Sequence, residues 1–200
     1  MKKIAIIILA AGSSSRMKSI KQLEKINNKT LLDITLEKAN GLQNDNIFCV
    51  LGANAELIKA NISSENVRFI FNKNFTCGLS SSIVSAIDFF NKENLFFDGF
   101  FILLADQPKI KTNYLQDIID LFNKNSENII ASNYGNNLGV PAIIPEKFTE
   151  ELLNIKGDKG AKEFINSNKK IIIVPKSNTN FFDVDTQEDL IFIKKEFKKK

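Results

Sequence analysis

Histidine is absent from this 200-residue sequence, and cysteine occurs only at Cys49 and Cys77. The first absence excludes a Ser-His-Asp triad, a Cys-His nucleophile pair and any histidine-ligated zinc. Two lone cysteines make no disulfide framework. They read as reduced residues of a cytosolic protein, Cys49 filling a strand core and Cys77 lying in a loop beside Gly78. Tryptophan is missing too, and tyrosine appears twice against 17 phenylalanines. The N-terminal apolar run, Ile4–Leu9, is far too short to cross a membrane and lacks a small-residue cleavage site, so it reads as a first strand. The expected location is the cytoplasm, with no membrane partner. Charge is nearly balanced, 27 basic against 23 acidic residues for a net +4. Several basic residues crowd the end, at Lys194, Lys195, Lys198, Lys199 and Lys200, as a solvated helix terminus does. No basic stripe with interleaved aromatics appears elsewhere, so no nucleic-acid partner is expected.

At 44% hydrophobic and 25% charged, residues 1–200 have the composition of one globular domain with a sizeable core. Helical spacing predicts helices over 30–39, 53–60, 79–90, 112–123, 159–165 and 186–197, with Thr112 as an N-cap. Apolar, β-branched runs predict strands at Ile4–Leu9, 46–51, 67–71, 100–104, 129–132, 142–144 and 171–174. Such alternation predicts the α/β class, a mainly parallel sheet with helices on both faces.

The densest information lies in IAIIILAAGSSSRMKSIK, residues 4–21. A continuously apolar strand is one covered on both faces, and ligands bind beyond the carboxyl ends of such strands. Ala10, Ala11 and Gly12 have little or no side chain, so a nucleotide can approach their backbone. Gly12 can take dihedrals closed to other residues, and successive N–H groups there can form an anion-binding concavity. The spacings GxxxxGK[ST] and GxGxxG are both absent, which removes the two commonest phosphate-loop readings. An ordinary strand-to-helix turn is the plain alternative.

LLADQP, residues 103–108, puts Asp106 at the end of a buried strand, where a carboxylate is costly unless paired. Mg²⁺ is a natural partner, since it takes one or two carboxylates together with phosphate oxygens and water. The alternative use is an N-cap. FFDVDTQEDL, residues 181–190, adds Asp183 and Asp185 on one side of an extended segment, and one of them can join Asp106 at a metal. Thr186, Glu188 and Asp189 open the last helix. NKNFTCGLSSSI, residues 72–83, is a second strand-to-helix junction. Its Ser80, Ser81 and Ser82 suit either an anion at the helix start or simple capping.

LAAGSSSRM followed by Lys21 resembles the signature LAAGxSxRMGxxK of the MobA-like nucleotidyltransferases, and among them most the molybdenum cofactor cytidylyltransferases. ADQP at 105–108, DVDTQEDL at 183–190, and Asn72, Gly78 and Ser82 of the pattern NpdxxxGxxxS continue the likeness in order. LGVP at 138–141 and KGDKGAK at 156–162 resemble GHP and GDxGAR on the acceptor side. The resemblance implies a single-domain, three-layer α/β/α Rossmann-like nucleotidyltransferase fold. It implies a nucleotide held by Leu9, Ala10, Ala11, Gly12, Ser13, Arg16, Lys21, Asn72, Gly78, Ser82 and Asp106. A Mg²⁺ is implied at Asp106 and Asp185, with Asp183 in support, and Lys21, Arg16 and Asp106 become the catalytic residues. The implied reaction is transfer of CMP from CTP to the phosphate of molybdopterin with release of pyrophosphate. A molybdenum hydroxylase or its chaperone is then an expected partner. AAG at 10–12 is similar to the cytidylyl branch, whereas the guanylyl branch has AGG. Two departures stand out: Lys18 replaces the glycine usual after RM, and Val140 replaces the histidine of GHP, which leaves the acceptor open. The rivals are a GTP-using guanylyltransferase, a sugar-phosphate or methylerythritol-phosphate nucleotidyltransferase, which the KQ of Lys21 and Gln22 resembles, a maturation factor with an unusual acceptor, and a non-catalytic nucleotide-binding module.

Overall fold

The computed structural model describes residues 1–42, 45–64 and 66–198, so Lys199 and Lys200 of the basic run lie outside the described residues. The chain runs through β1 (Ile4–Leu9), a hairpin of β2 (Lys25–Ile26) and β3 (Lys29–Thr30), α1 (Leu31–Asn40), β4 (Ile47–Leu51), α2 (Ala55–Ala60) and β5 (Arg68–Phe71). It continues through α3 (Leu79–Lys92), β6 (Gly99–Leu104), α4 (Thr112–Lys124), β7 (Ile129–Asn133), β8 (Leu138–Pro145), α5 (Thr149–Leu153), α6 (Gly160–Ser167), β9 (Ile172–Ile173) and α7 (Gln187–Lys198).

Seven strands form one sheet in the order β5-β4-β1-β6-β8-β7-β9. Every pairing is parallel except those of β8, which runs antiparallel to both β6 and β7. With helices on both faces, this is the mainly parallel three-layer α/β/α architecture that the alternation predicts. β1 lies between β4 and β6 and is buried at every residue, as six consecutive apolar side chains require. Ile4, Ile6 and Ile8 pack on one face with Leu32, Leu36, Ile118 and Phe122, while Ala5, Ile7 and Leu9 pack on the other with Ile83, Ile87, Phe90 and Ile165. A third, smaller cluster joins Met17, Ile26, Leu31 and Ile34 to Val184, Leu190 and Ile193. It pins the loop after β1 to the C-terminal helix.

The connections explain where a ligand fits. From β1 the chain moves outward through β4 to β5, then returns to place β6 on the other side of β1. Loops leaving β1 and β6 therefore diverge, opening a crevice at their carboxyl ends. Leu9 and Leu104 are register partners, so these loops begin side by side.

The structure departs from the sequence expectations at several places, among them the short helix α5, which no helical spacing predicted. The hairpin of β2 and β3 has two residues per strand, too few for an alternation to register. β8 is eight residues long where the apolar run predicts only 142–144, because Leu138 and Gly139 ladder onto Asn133 and Ser132 of β7 across a bulge. Thr112 is the first helical residue of α4, not its cap; the N-cap is Lys111, and no side chain caps that helix. Among the described residues no helix is long and apolar enough to cross a membrane.

Candidate active site

Three segments converge at the carboxyl edge of the sheet: 10–21 after β1, 105–108 after β6, and the extended stretch 181–186 before α7. The amide of Val184 donates to the carbonyl of Asp106 at 3.0 Å, which brings Asp185 beside Asp106 although 79 positions separate them in sequence. Lys21 closes the group. Its Nζ lies 2.7 Å from Asp106 Oδ2 and 2.9 Å from Asp185 Oδ1, and Arg16 Nη2 lies 3.2 Å from Asp185 Oδ2. Burial lowers the affinity of the Lys21 amine for its proton. The charge of Asp106 and the hydrogen bonds to both carboxylates outweigh that and carry its pKa above the ordinary lysine value. Asp185 moves the other way: burial raises it, but the bond and charge of Lys21, with Arg16 behind, hold it below the usual carboxylate range. These residues floor a cleft of about 490 Å³ lined by Leu9 to Met17, Lys21, Gln22, Gly78, Ser82 and Asp185, with Phe75, Thr76, Leu79 and Asp158 on the far wall.

The shape of the loop comes from Gln22, which is 4% exposed. Its amide nitrogen donates to the carbonyls of Ala10 (2.8 Å) and Gly12 (3.0 Å), while its oxygen accepts from the Ser14 hydroxyl (3.2 Å). Ser14 Oγ in turn accepts from the amide of Lys21. Two loop carbonyls are thus turned inward onto one side chain, and among the described residues the amides of Gly12 and Ser13 meet no protein acceptor. Gly12 does not use the positive φ open to it; Ser14 (+57°) and Lys18 (+56°) have one. A Cβ added at Gly12 would meet no atom within 4 Å. Glycine here keeps the cleft wall open rather than permitting a turn.

At the second junction the chain supplies its own anion. Asp158 Oδ1 accepts from the amide of Leu79 at the start of α3, at 3.1 Å, so this helix end is not open to an external group as the serine run suggests. Gly78, at φ +93°, allows the approach, because a Cβ there would stand 2.6 Å from the Gly157 carbonyl carbon. Asn72 is fully buried and lies behind the cleft, donating to Ser81 (2.8 Å) and Ser82 (3.1 Å) and accepting from Ser85 (3.0 Å). Only Gly78 and Ser82 of that pattern line the cleft itself.

On the opposite side Gln107, 3% exposed, donates to Asp183 Oδ1 (2.8 Å) and to the Tyr134 hydroxyl (2.9 Å). That hydroxyl donates to the carbonyl of Val140, and the Tyr134 ring stacks on Phe181 at 4.4 Å. Burial, with the nearby charges of Asp106 and Asp185, pushes Asp183 up to about 6 against the Gln107 bond. Cys49 is buried and its thiol is pushed up by burial, as suits a core filler. Sequence reasoning missed Gln22, Gln107 and Asp158. The two glutamines sit inside quoted motifs, but only burial marks them as templates, and Asp158 acts across 79 positions.

The donor set bears on a metal. Asp106 Oδ1 is buried and has no hydrogen-bond partner. Among the described residues no group of three or more His, Cys, Asp or Glu could hold an ion alone. Two carboxylates suit Mg²⁺, which keeps several waters and completes its shell from substrate phosphates.

A doubly wound sheet with a small-residue loop, two basic side chains and two carboxylates gathered at its crevice places the chain in the α/β class with a ligand crevice at the carboxyl ends of its strands. More narrowly, the chain belongs to the MobA-like NTP transferase domain family, whose model matches residues 6–171. It is 26% identical over 147 residues to the bifunctional protein GlmU of Francisella tularensis subsp. novicida, covering 72% of this chain and 31% of that protein. The chain thus spans about a third of the length of the curated relatives it matches. The fold is similar to that of the Rv0371c homolog from Mycobacterium sp. strain JC1 (TM-score 0.84, 24% identity, 98% of each chain). It is also similar to Rv0371c of Mycobacterium tuberculosis H37Rv in complex with manganese (TM-score 0.74, 23% identity, 97% of this chain and 98% of that one).

Proposed function

We propose that this protein transfers a nucleoside monophosphate, CMP by preference, from a nucleoside triphosphate to the phosphate of molybdopterin, releasing pyrophosphate. The observation that carries the reading is the grouping of Lys21, Arg16, Asp106 and Asp185 beneath the loop 10–21 at the carboxyl ends of β1 and β6. An acceptor phosphate oxygen attacks the α-phosphorus in line, and the bond from that phosphorus to the β-phosphate bridging oxygen breaks. The residues of this chain position and neutralise. Gly12 and Ser13 amides receive phosphate oxygens, Arg16 holds the departing pyrophosphate, and Lys21 steadies the charge that gathers at the α-phosphate. Asp106 and Asp185 would hold a Mg²⁺, which when bound supplies charge neutralisation at the phosphates. Ala11, where the guanylyl branch has glycine, favours CTP.

A second reading, transfer to a different phosphorylated acceptor, rests on the region of Val140. No histidine stands there, and the Val140 carbonyl is already engaged by Tyr134. In either case the cytoplasm is the proposed location, with a molybdenum hydroxylase or its chaperone as partner in the first. Pyrophosphate release from each of the four ribonucleoside triphosphates, with Mg²⁺ and molybdopterin or its molybdate-loaded form, tests the proposal. Release with CTP that requires the pterin and disappears in Asp106→Ala is the expected result. Release with CTP and a sugar phosphate but not the pterin would transfer the assignment to the second reading.

A further inference from the structure

We propose that Asp158 selects the pyrimidine of the triphosphate: its carboxylate accepts a hydrogen bond from the exocyclic amine of cytosine and turns away uracil, which carries a carbonyl at that ring position. The inference rests on the nucleotidyl-transfer reading for the presence of a triphosphate, and it assigns the base discrimination to a residue outside the loop 10–21.

Charge divides the cleft into two ends. Five charged residues line it: Arg16, Lys21, Asp106, Asp158 and Asp185. Four of them, both cations included, are joined by ion pairs at the carboxyl ends of β1 and β6, so phosphates belong at that end. Asp158 stands apart on the far wall with Phe75, Thr76, Gly78 and Leu79, and forms no ion pair among the described residues. A triphosphate with its phosphates at Arg16 and Lys21 therefore places its base toward this wall. The wall suits a flat ring. A Cβ added at Gly52 would stand 2.5 Å from Phe75 Cβ and 2.7 Å from the Ala11 carbonyl oxygen, so the aromatic side chain borders the small-residue loop closely.

KGDKGAK reads in sequence as part of the acceptor side, yet the fold fastens it to the start of α3. The Leu79 amide donates to Asp158 Oδ1 at 3.1 Å, and the Ser80 amide donates to the Gly157 carbonyl at 3.0 Å. Backbone groups thus hold the carboxylate in place without exhausting it, since an ionised carboxyl offers about four acceptor sites and no donor. An unneutralised carboxylate in a cleft for a polyanion lowers the affinity of every triphosphate unless the ligand brings it a donor. The N4 amine of cytosine is such a donor. The O4 atom of uracil instead sets lone pairs against lone pairs, so the group that accepts CTP repels UTP. Adenine and guanine carry amines too, and Asp158 separates the pyrimidines only.

The test is calorimetric titration of the full chain, with Mg²⁺ and without acceptor, using CTP, UTP and the triphosphate of 2-pyrimidinone riboside, which has neither amine nor carbonyl at that ring position. The unaltered protein should bind CTP about tenfold more tightly than UTP, the discrimination expected of one charge-assisted hydrogen bond. Asp158→Asn keeps an oxygen for the Leu79 amide and sets an N–H donor beside it, so the preference should vanish or reverse while the urea unfolding midpoint stays unchanged. Asp158→Ala, at an exposed position, guards against a misfolded Asn variant, and should bind CTP and the pyrimidinone analogue equally. If Asp158 merely caps α3, Asp158→Asn leaves the ratio of CTP to UTP affinity intact; that result, or equal binding of CTP and UTP by the unaltered protein, overturns the proposal. Failure of every triphosphate to bind removes instead the nucleotidyl-transfer reading, and this inference with it.

Discussion

Lys18 holds a left-handed backbone conformation, φ +56°, at the position where the resembling family has glycine. An L-residue there carries a steric cost of about 1 to 2 kcal/mol, which glycine avoids at the expense of some unfolded-state entropy. Lys18→Gly should therefore raise stability, by up to about 1 kcal/mol in urea unfolding, even though it removes a surface charge. The residue of greatest consequence for the proposed reaction is Lys21. Lys21→Ala should lower kcat by a factor corresponding to roughly 2 to 4 kcal/mol of barrier while raising KM far less, because its contact strengthens as charge develops. A kcat unchanged within twofold would remove Lys21 from its assigned role. Both residues were visible in the chain order. What no reading of the chain order contains is that Gln22 holds the carbonyls of Ala10 and Gly12, since a buried glutamine differs from an exposed one only in its surroundings.

At the scale of elements, α1 is fastened to the loop after β6 by Lys38, whose Nζ donates to the Pro108 carbonyl at 2.6 Å. Burial lowers this amine from the ordinary 10.5 to about 8, with Glu37 opposing weakly. Between those two values the unfolded chain binds more protons than the folded one, so stability rises with pH across that window. The neutral amine still donates, so the tether survives deprotonation. Urea unfolding of the unaltered protein from pH 8 to 10.5 should show a rising contribution that Lys38→Met lacks. Parallel curves for the two would contradict it. The element boundaries of α1, α3, β4 and β6 followed closely from hydrophobic period, although Thr30, read as the first helical residue of α1, is its N-cap, its hydroxyl accepting from the amide of Asp33. The length of β8 did not, because a ladder partner and not propensity decides where an antiparallel strand ends.

For the whole molecule, the site is completed from the far end of the chain. Val184, Leu190 and Ile193 pack with Met17 in the third cluster, so the docking of α7 sets both the seat of Asp185 and the anchor of the loop after β1. Ile193 is fully buried, and Ile193→Ala should cost about 2 to 5 kcal/mol of stability. A second effect distinguishes this from simple core loss: KM for the triphosphate should rise, because the loop loses its mooring. A comparable truncation in the main core, Ile118→Ala, should lower stability similarly without moving KM. If the two variants shifted KM alike, the link between α7 and the loop would be wrong.

The α/β class, the strand at Ile4–Leu9 and the identity of the residues in each motif were determined by the sequence alone, because hydrophobic period and local steric preference act within a dozen residues. Only the tertiary structure decided that Lys21 bridges Asp106 and Asp185, that Asp158 takes the start of α3, and that Gly12 serves an open wall rather than a turn. Each of these depends on which distant segments the sheet order brings together, and on how much water remains around them once it has. Charge pairing and burial are properties of that assembled space, and the one-dimensional pattern carries them only after the chain has folded.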